Sequence, residues 1–373
     1  MKKFFSGILF LIALVLSLVL ILSYFLSFVS PEKIGILVFI WFAFPYLWFC
    51  TLLSSIVYMF MKQWCSVFLF VTALAVTWFG FTSVVNYNFS QEEKDGEIRI
   101  MSFNVKSFQG PSETVSFNYE GFVAFIERES PDIICFQEMQ TFNNVILQKN
   151  NNSIRSILKD YKYVISQEDA YGKSAFNKGL LVISRYPIRT LEKSMLEKTE
   201  LPTTECLAVE VTYNEKQFIL IDCHLESIRL TNNQLEVVNE VKRANLTDKT
   251  KENIAVTKNK MTHAFLARAR QVDELYKSIQ KFKKPIVICG DFNDTPLSYT
   301  YNQIRRSGLE DAFITSSKGI GKTYCGPLPL LRIDYFWYND KIEVIDYERI
   351  KQTTSDHYPL IMTFNIKNEV EEE

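Results

Sequence analysis

The sequence is poor in the residues that build soft-metal sites. It holds three histidines and seven cysteines, with no Cys-x-x-Cys pair, which argues against zinc held through thiolates. Charge is almost missing from the first 85 residues, where Lys2, Lys3, Glu32, Lys33 and Lys62 are the whole set. So few charges cannot solvate a soluble surface. The remainder carries 41 − 4 = 37 Lys and Arg against 42 − 1 = 41 Asp and Glu, a net charge of −4. That balance excludes gripping nucleic acid by bulk charge, so a polyanionic substrate must be recognised locally. Cys135, Cys206, Cys223 and Cys289 lie in apolar, strand-like runs and read as small core hydrophobes, not as a disulfide framework or a metal site.

Three long apolar runs stand at the front, at about 5–29, 34–61 and 65–85. Each is long enough to cross about 30 Å of hydrocarbon as a helix. The first is longer than a secretory signal core and lacks a small-x-small cleavage site, so three membrane spans are expected within residues 1–88. They carry almost no polar residues to line a path, which argues against a channel or transporter. Lys2 and Lys3 favour a cytoplasmic start and Lys62 an inner loop, which puts everything beyond the third span on the exoplasmic side. An acidic linker at 89–96 is expected to lead into a soluble domain at 97–367, followed by a charged tail at 368–373.

In that domain, polar residues recur where apolar strands run out. Pro285–Pro296 reads Pro-Ile-Val-Ile-Cys-Gly-Asp-Phe-Asn-Asp-Thr-Pro, a buried strand that turns polar at Gly290. Asp291 and Asn293, two apart in extended chain, project together from its carboxyl end. Strands are likewise expected at 97–105 ending near Asn104, at 132–138 ending in Glu138, at 217–225 carrying His224, at 331–338 carrying Asp334 and at 360–364 just after Asp356-His357. Further strands are expected at 161–166, 178–184 and 207–213, and helices at about 119–129 and 254–279. The Lys- and Arg-rich stretch 242–270, including Lys242, Arg243, Arg268 and Arg270, reads first as a solvated helix face and second as a grip for phosphate or an anionic membrane.

Ser-Phe-Asn-Val at 102–105, Gln-Glu at 137–138, Ser-Arg-Tyr-Pro-Ile at 184–188, His224, Gly-Asp-Phe-Asn-Asp at 290–294, Ile-Asp-Tyr at 333–335 and Ser-Asp-His-Tyr-Pro-Leu at 355–360 together resemble the endonuclease/exonuclease/phosphatase superfamily. The resemblance implies an α/β (α+β) four-layer sandwich, two mainly antiparallel β-sheets face to face with helices outside. It also implies a site for Mg²⁺, or Mn²⁺ in its place. Glu138 matches the principal metal ligand, with Asn104 and Asp356 in the metal neighbourhood. Asp291 matches the residue that orients or deprotonates water, and Asn293 the one that steadies phosphoryl oxygens. His357 matches the histidine at the scissile phosphate, Asp334 the carboxylate paired with it, and His224 the first histidine of the deoxyribonuclease and sphingomyelinase branches. That deoxyribonuclease branch has a supporting glutamate where Asn177 and Lys178 stand here, and no basic, groove-entering residues are evident.

The residue types suit this chemistry on their own terms. Hydrolysis of an anionic phosphate ester wants a hard cation, for which carboxylate and carboxamide oxygens are the natural ligands, together with a positioned base and a protonatable group. The expectation is a membrane-anchored phosphohydrolase, a phosphodiesterase before a phosphomonoesterase. Its expected substrate is a lipid headgroup or nucleic acid, and its other partner is the bilayer; nothing in the sequence points to a protein partner. A non-catalytic, membrane-tethered binding module is the rival.

Overall fold

A computed structural model of the chain describes residues 2–87, 96–109, 118–140, 159–171, 178–191, 205–228, 247–326, 331–351 and 354–368. The expected linker, apart from Gly96, lies outside these residues, as do Asn177, Lys242, Arg243 and the tail from 369.

The apolar runs form helices α1 (Lys2–Leu26), α2 (Pro31–Ile34), a 3₁₀ stretch at Gly35–Ala43, α3 (Phe44–Phe60), α4 (Trp64–Val76) and α5 (Trp78–Thr82). Two segments, Gly7–Leu26 and Pro31–Phe60, are long and apolar enough to cross a membrane. The third run departs from the single span expected at 65–85. Its helix breaks at Thr77, whose hydroxyl folds back onto the carbonyls of Ala73 and Leu74, a competition with the helical ladder typical of this residue. Its last residues form strand β1 (Val85–Tyr87), paired antiparallel with β11 (Lys318–Ile320) of the soluble domain.

The remaining elements, in order, are β2 (Ile98–Asn104), α6 (Tyr119–Glu129), β3 (Ile133–Gln140), β4 (Tyr163–Ser166), α7 (Gln167–Tyr171), β5 (Lys178–Ser184), β6 (Ile188–Thr190), β7 (Cys206–Tyr213), β8 (Lys216–His224), α8 (Asp248–Ile279), β9 (Ile286–Asp291), α9 (Tyr299–Arg306), β10 (Glu310–Asp311), α10 (Ala312–Ser316), β11, β12 (Asp334–Tyr338), β13 (Ile342–Arg349) and β14 (Leu360–Ile366). They build two six-stranded sheets, β13-β14-β2-β3-β5-β4 and β10-β12-β9-β8-β7-β6. Each has one parallel pair, β2–β3 and β8–β9, among antiparallel neighbours. Period-two side chains sort the layers. Ile98 and Ile100 meet Val209, Leu220 and Val287 between the sheets, while Met101 and Phe103 face Phe122 and Ile126 of α6. On the other side Ile219 and Ile221 face Val272 and Leu275 of α8. These are the four layers that the resemblance implied.

The apolar helices are docked on this sandwich. Leu297, just after the loop 290–296, is buried among Leu20, Phe44, Leu47 and Phe81. Asn302 Nδ2 donates to the carbonyl and hydroxyl oxygens of Ser27 at 3.1 and 2.8 Å, Arg332 donates to Ser83 O at 2.8 Å, and Trp41 joins the core beside Phe265.

Candidate active site

The parallel pairs end side by side, and the polar residues sit at those ends. β2 delivers Asn104, and a bulge in β3 delivers Glu138. The β3–β5 register slips between Phe136 and Met139, with Glu138 in the left-handed region at φ 53°. One extra residue re-aims the strand end, so Gln137 turns into the inter-sheet core and Glu138 into the site. From the facing sheet, β8 ends at His224 opposite Asp291 of β9, and Asp291 in turn lies opposite Asp334 of β12. Gly290 is required there. Its φ is 127°, and a Cβ would stand 1.9 Å from the carbonyl oxygen of Cys223.

Asn104 Nδ2 donates to Asp291 Oδ2 at 2.9 Å and reaches Glu138 Oε1 at 3.4 Å, joining the two sheets through one carboxamide. The Asn293 N–H donates to Asp291 Oδ1 at 2.8 Å. His357 Nδ1 lies 3.0 Å from both Asp334 oxygens, and its Nε2 lies 3.7 Å from Asp291 Oδ2. His224 Nε2 stands 3.8 Å from Glu138 Oε1 and 3.9 Å from Asp291 Oδ2, too far for hydrogen bonds. Six of the eight residues singled out from the sequence therefore meet directly. Asp356 joins through Lys106, whose ammonium sits 2.9 Å from its carboxylate. The Asn293 side chain instead donates to Leu225 O at 3.1 Å, which fixes its carboxamide against the backbone.

Electrostatics separates the two central carboxylates. Asp291 is 1% exposed, and burial pushes its carboxyl up to about 6, with the Asp334 charge adding to the rise and the two histidines opposing it. Burial alone would lower His357, but the carboxylates of Asp334 and Asp291 outweigh it and raise the imidazole to about 10. Glu138, by contrast, keeps 21% of its side chain exposed. Asp291, Asp334 and His357 bring ligand atoms within 4.8 Å of one another, but the carboxylates hold His357 protonated, and a protonated imidazole is no metal ligand. The partly exposed Glu138 carboxylate and the Asn104 carboxamide beside them are oxygen groups of the kind a hard divalent cation takes. Cys135, Asp222 and Cys289 cluster as closely in the inter-sheet core. Burial raises all three groups and favours their protonated forms, whereas metal ligands must be deprotonated.

Several supporting residues escape a sequence reading. Lys106, Ser107 and Phe108 occupy three consecutive left-handed positions, at φ 47°, 53° and 56°, a strained turn of the kind that clusters at functional sites. Nothing in Lys-Ser-Phe signals it. Ser107 Oγ donates to Glu138 O and Ser355 Oγ to Asn104 O, tying both strand ends down. Arg268, from the stretch read as a solvated face, is fully buried. It holds Asp294 at 3.1 Å and Glu226 O at 2.8 Å, so it braces the loop after Asn293. Arg270 pairs with Glu32.

The Endonuclease/Exonuclease/phosphatase family model matches residues 101–357, more than half of the chain. The chain belongs to this family. A second model, described as a domain of unknown function, matches residues 3–84. Among solved structures, an endonuclease/exonuclease/phosphatase from Bacteroides vulgatus is 15% identical with a TM-score of 0.49, covering 72% of this chain and 99% of that one. The human Nocturnin catalytic domain with bound sulfate is 17% identical at 0.47, covering 72% and 94%. The Bacteroides thetaiotaomicron mannosyl-6-phosphatase is 15% identical at 0.47, covering 72% and 100%. No curated protein matches. The matched span 101–357 contains every residue of the strand-end cluster.

Proposed function

We propose that this family member is a membrane-anchored, divalent-metal-dependent phosphodiesterase acting on phospholipid headgroups. The observation that carries the reading is Asp291, a buried carboxylate oriented by Asn104 and the Asn293 N–H with an imidazole on either side. Glu138 and Asn104, with Asp356 at the rim, are the residues that would hold Mg²⁺, and the ion, when bound, neutralises charge developing on the phosphoryl oxygens.

The chain's own groups divide the remaining work. Asp291, ionised above pH about 6, takes a proton from the attacking water on Oδ2, and hydrogen bonds from Asn104 to Oδ2 and from the Asn293 N–H to Oδ1 fix the carboxylate that receives it. His357, kept as an imidazolium by Asp334, points Nε2 into the site toward a phosphoryl oxygen, where a charged donor is most valuable. His224 Nε2 has no hydrogen-bond partner among the described residues and is the group placed to protonate the leaving oxygen.

The docked helices support membrane attachment and a lipid substrate. Leu9, Leu11, Leu18, Leu53, Phe60 and Phe68 are all exposed, an apolar exterior that suits a bilayer better than water. The contacts from Ser27, Trp41, Phe81 and Ser83 to the soluble domain involve the helix ends remote from Lys2, Lys3 and Lys62. With the lysines cytoplasmic, the catalytic domain lies on the exoplasmic face, and Leu297 keeps its loop beside the bilayer. The test is release of water-soluble phosphorylated headgroup from phospholipid vesicles by the full chain with Mg²⁺ and with EDTA, beside duplex and single-stranded DNA. Metal-dependent headgroup release is expected; cleavage confined to DNA would move the assignment to a nuclease, and release of inorganic phosphate alone to a monoesterase.

A further inference from the structure

Strands β7 and β8 form a local hairpin. Asn214 and Glu215, both left-handed at φ 44° and 68°, make the two-residue connection favoured between twisted antiparallel strands. The ladder then runs without a shift from Tyr213 opposite Lys216 to Cys206 opposite Cys223. One residue further on, the His224 N–H donates to Glu205 O at 2.8 Å. That bond makes Cys206 and Cys223 a non-hydrogen-bonded pair, the place where antiparallel Cα atoms come closest, about 4.5 Å. Disulfides span such a separation. The two sulfurs already stand 3.2 Å apart, both residues are fully buried, and Phe265 and Val272 of α8 belong to the same core cluster.

We propose that Cys206 and Cys223 are a cross-strand disulfide site, oxidised on the exoplasmic side by a disulfide-bearing thiol oxidoreductase. The thiolate of one cysteine attacks the donor disulfide and expels one donor thiolate. The second then attacks the cysteine sulfur of the mixed disulfide and expels the other donor thiolate. Two cysteine thiols are oxidised, one donor disulfide is reduced, and the two cysteine protons end on the donor thiols. Closure takes place in the nascent hairpin, because a two-residue turn brings the pair together within microseconds and α8 then shields it. The bond ends one residue before His224 and pins that strand end independently of any step in hydrolysis.

The experiment is a thiol map of the full chain in native membranes. Free thiols are trapped by an alkylating agent in denaturant at the moment of lysis, and peptides are then mapped before and after reduction. The expected result is one linked peptide pair joining Cys206 to Cys223, with the remaining cysteines alkylated. In Cys206→Ala, Cys223 becomes alkylatable; in Cys135→Ala the linked pair persists. Complete alkylation of Cys206 and Cys223 in the unmodified chain, or linkage of either to another cysteine, overturns the proposal.

Discussion

Glu138, on the bulge of β3, and Asp291, at the end of β9, belong to facing sheets and both contact the Asn104 carboxamide, yet the fold treats them differently. Glu138 sits on a bulge with part of its carboxylate in solvent, beside the strained Lys106–Phe108 turn. Asp291 is sealed under two histidines, and its proton affinity is raised by burial. A carboxylate open to solvent suits a hard cation, whereas a buried one with a value near neutrality suits proton transfer. Two chemically similar acids meet different environments, and the separate roles proposed for them rest on that difference.

The sharpest way to break this comparison is to neutralise each acid in turn. Asp291→Asn should lower turnover about 10²–10⁴-fold, the usual span for a lost general base, while Mg²⁺ affinity measured by calorimetry stays near the parent value. Glu138→Gln should cost several kcal/mol of charge stabilisation, about 10³-fold in rate, and weaken Mg²⁺ binding as well. If Asp291→Asn abolished cation binding and Glu138→Gln spared it, the two roles would be exchanged.

Asp334→Asn should be milder, about 10–100-fold, the usual size for losing a group that orients a functional imidazole. It also removes the chief charge holding His357 near 10, so the alkaline limb of the rate profile should move to lower pH. The parent profile should rise as Asp291 ionises near 6 and fall as His357 deprotonates near 10. Stability follows the same groups. His357, raised above its ordinary 6.5, contributes fully below that pH and loses its contribution as pH climbs through about 10. Asp291, raised above 3.8, has the same sign in a lower window, costing stability as pH rises from 3.8 through about 6. Pulse proteolysis across pH in the parent and in Asp334→Asn would expose the alkaline loss and its shift.

The smallest catalytic effect is expected from Leu297→Ala. Emptying a buried leucine site should cost about 2–5 kcal/mol of stability, read as a lowered Tm. Turnover of a soluble diester should fall less than in Asp334→Asn, because Leu297 touches the helices and not the carboxylates. An unchanged Tm would show that the docking of the loop on the helices contributes little.

The acids, histidines and strand ends were legible because each breaks an apolar run, and a polar residue there needs a partner or solvent. Asp222 obeys the same rule, and the structure supplies Gln137 Nε2 at 2.6 Å, but a sequence cannot say which polar residue of another strand it meets. The turn at Lys106 left no trace, since its residues are not those that favour left-handed backbone. Hydropathy registered the apolar run at 65–85 but not its break at Thr77 or the pairing of Val85–Tyr87 with the distant strand β11, where Asn86 lies opposite Gly319. Arg268 looked like surface charge because its partners Asp294 and Glu226 are brought to it by tertiary folding alone.

The account turns on Asp291 as the base of a metal-assisted hydrolysis. The most direct measurement is the pH–rate profile of bis(p-nitrophenyl) phosphate hydrolysis by the full chain in lipid nanodiscs, with Mg²⁺ and with EDTA, for the parent and Asp291→Asn. The account predicts Mg²⁺-dependent turnover with an acid limb near 6 that disappears, along with most of the rate, in the variant. A variant that kept both its turnover and its acid limb would contradict it.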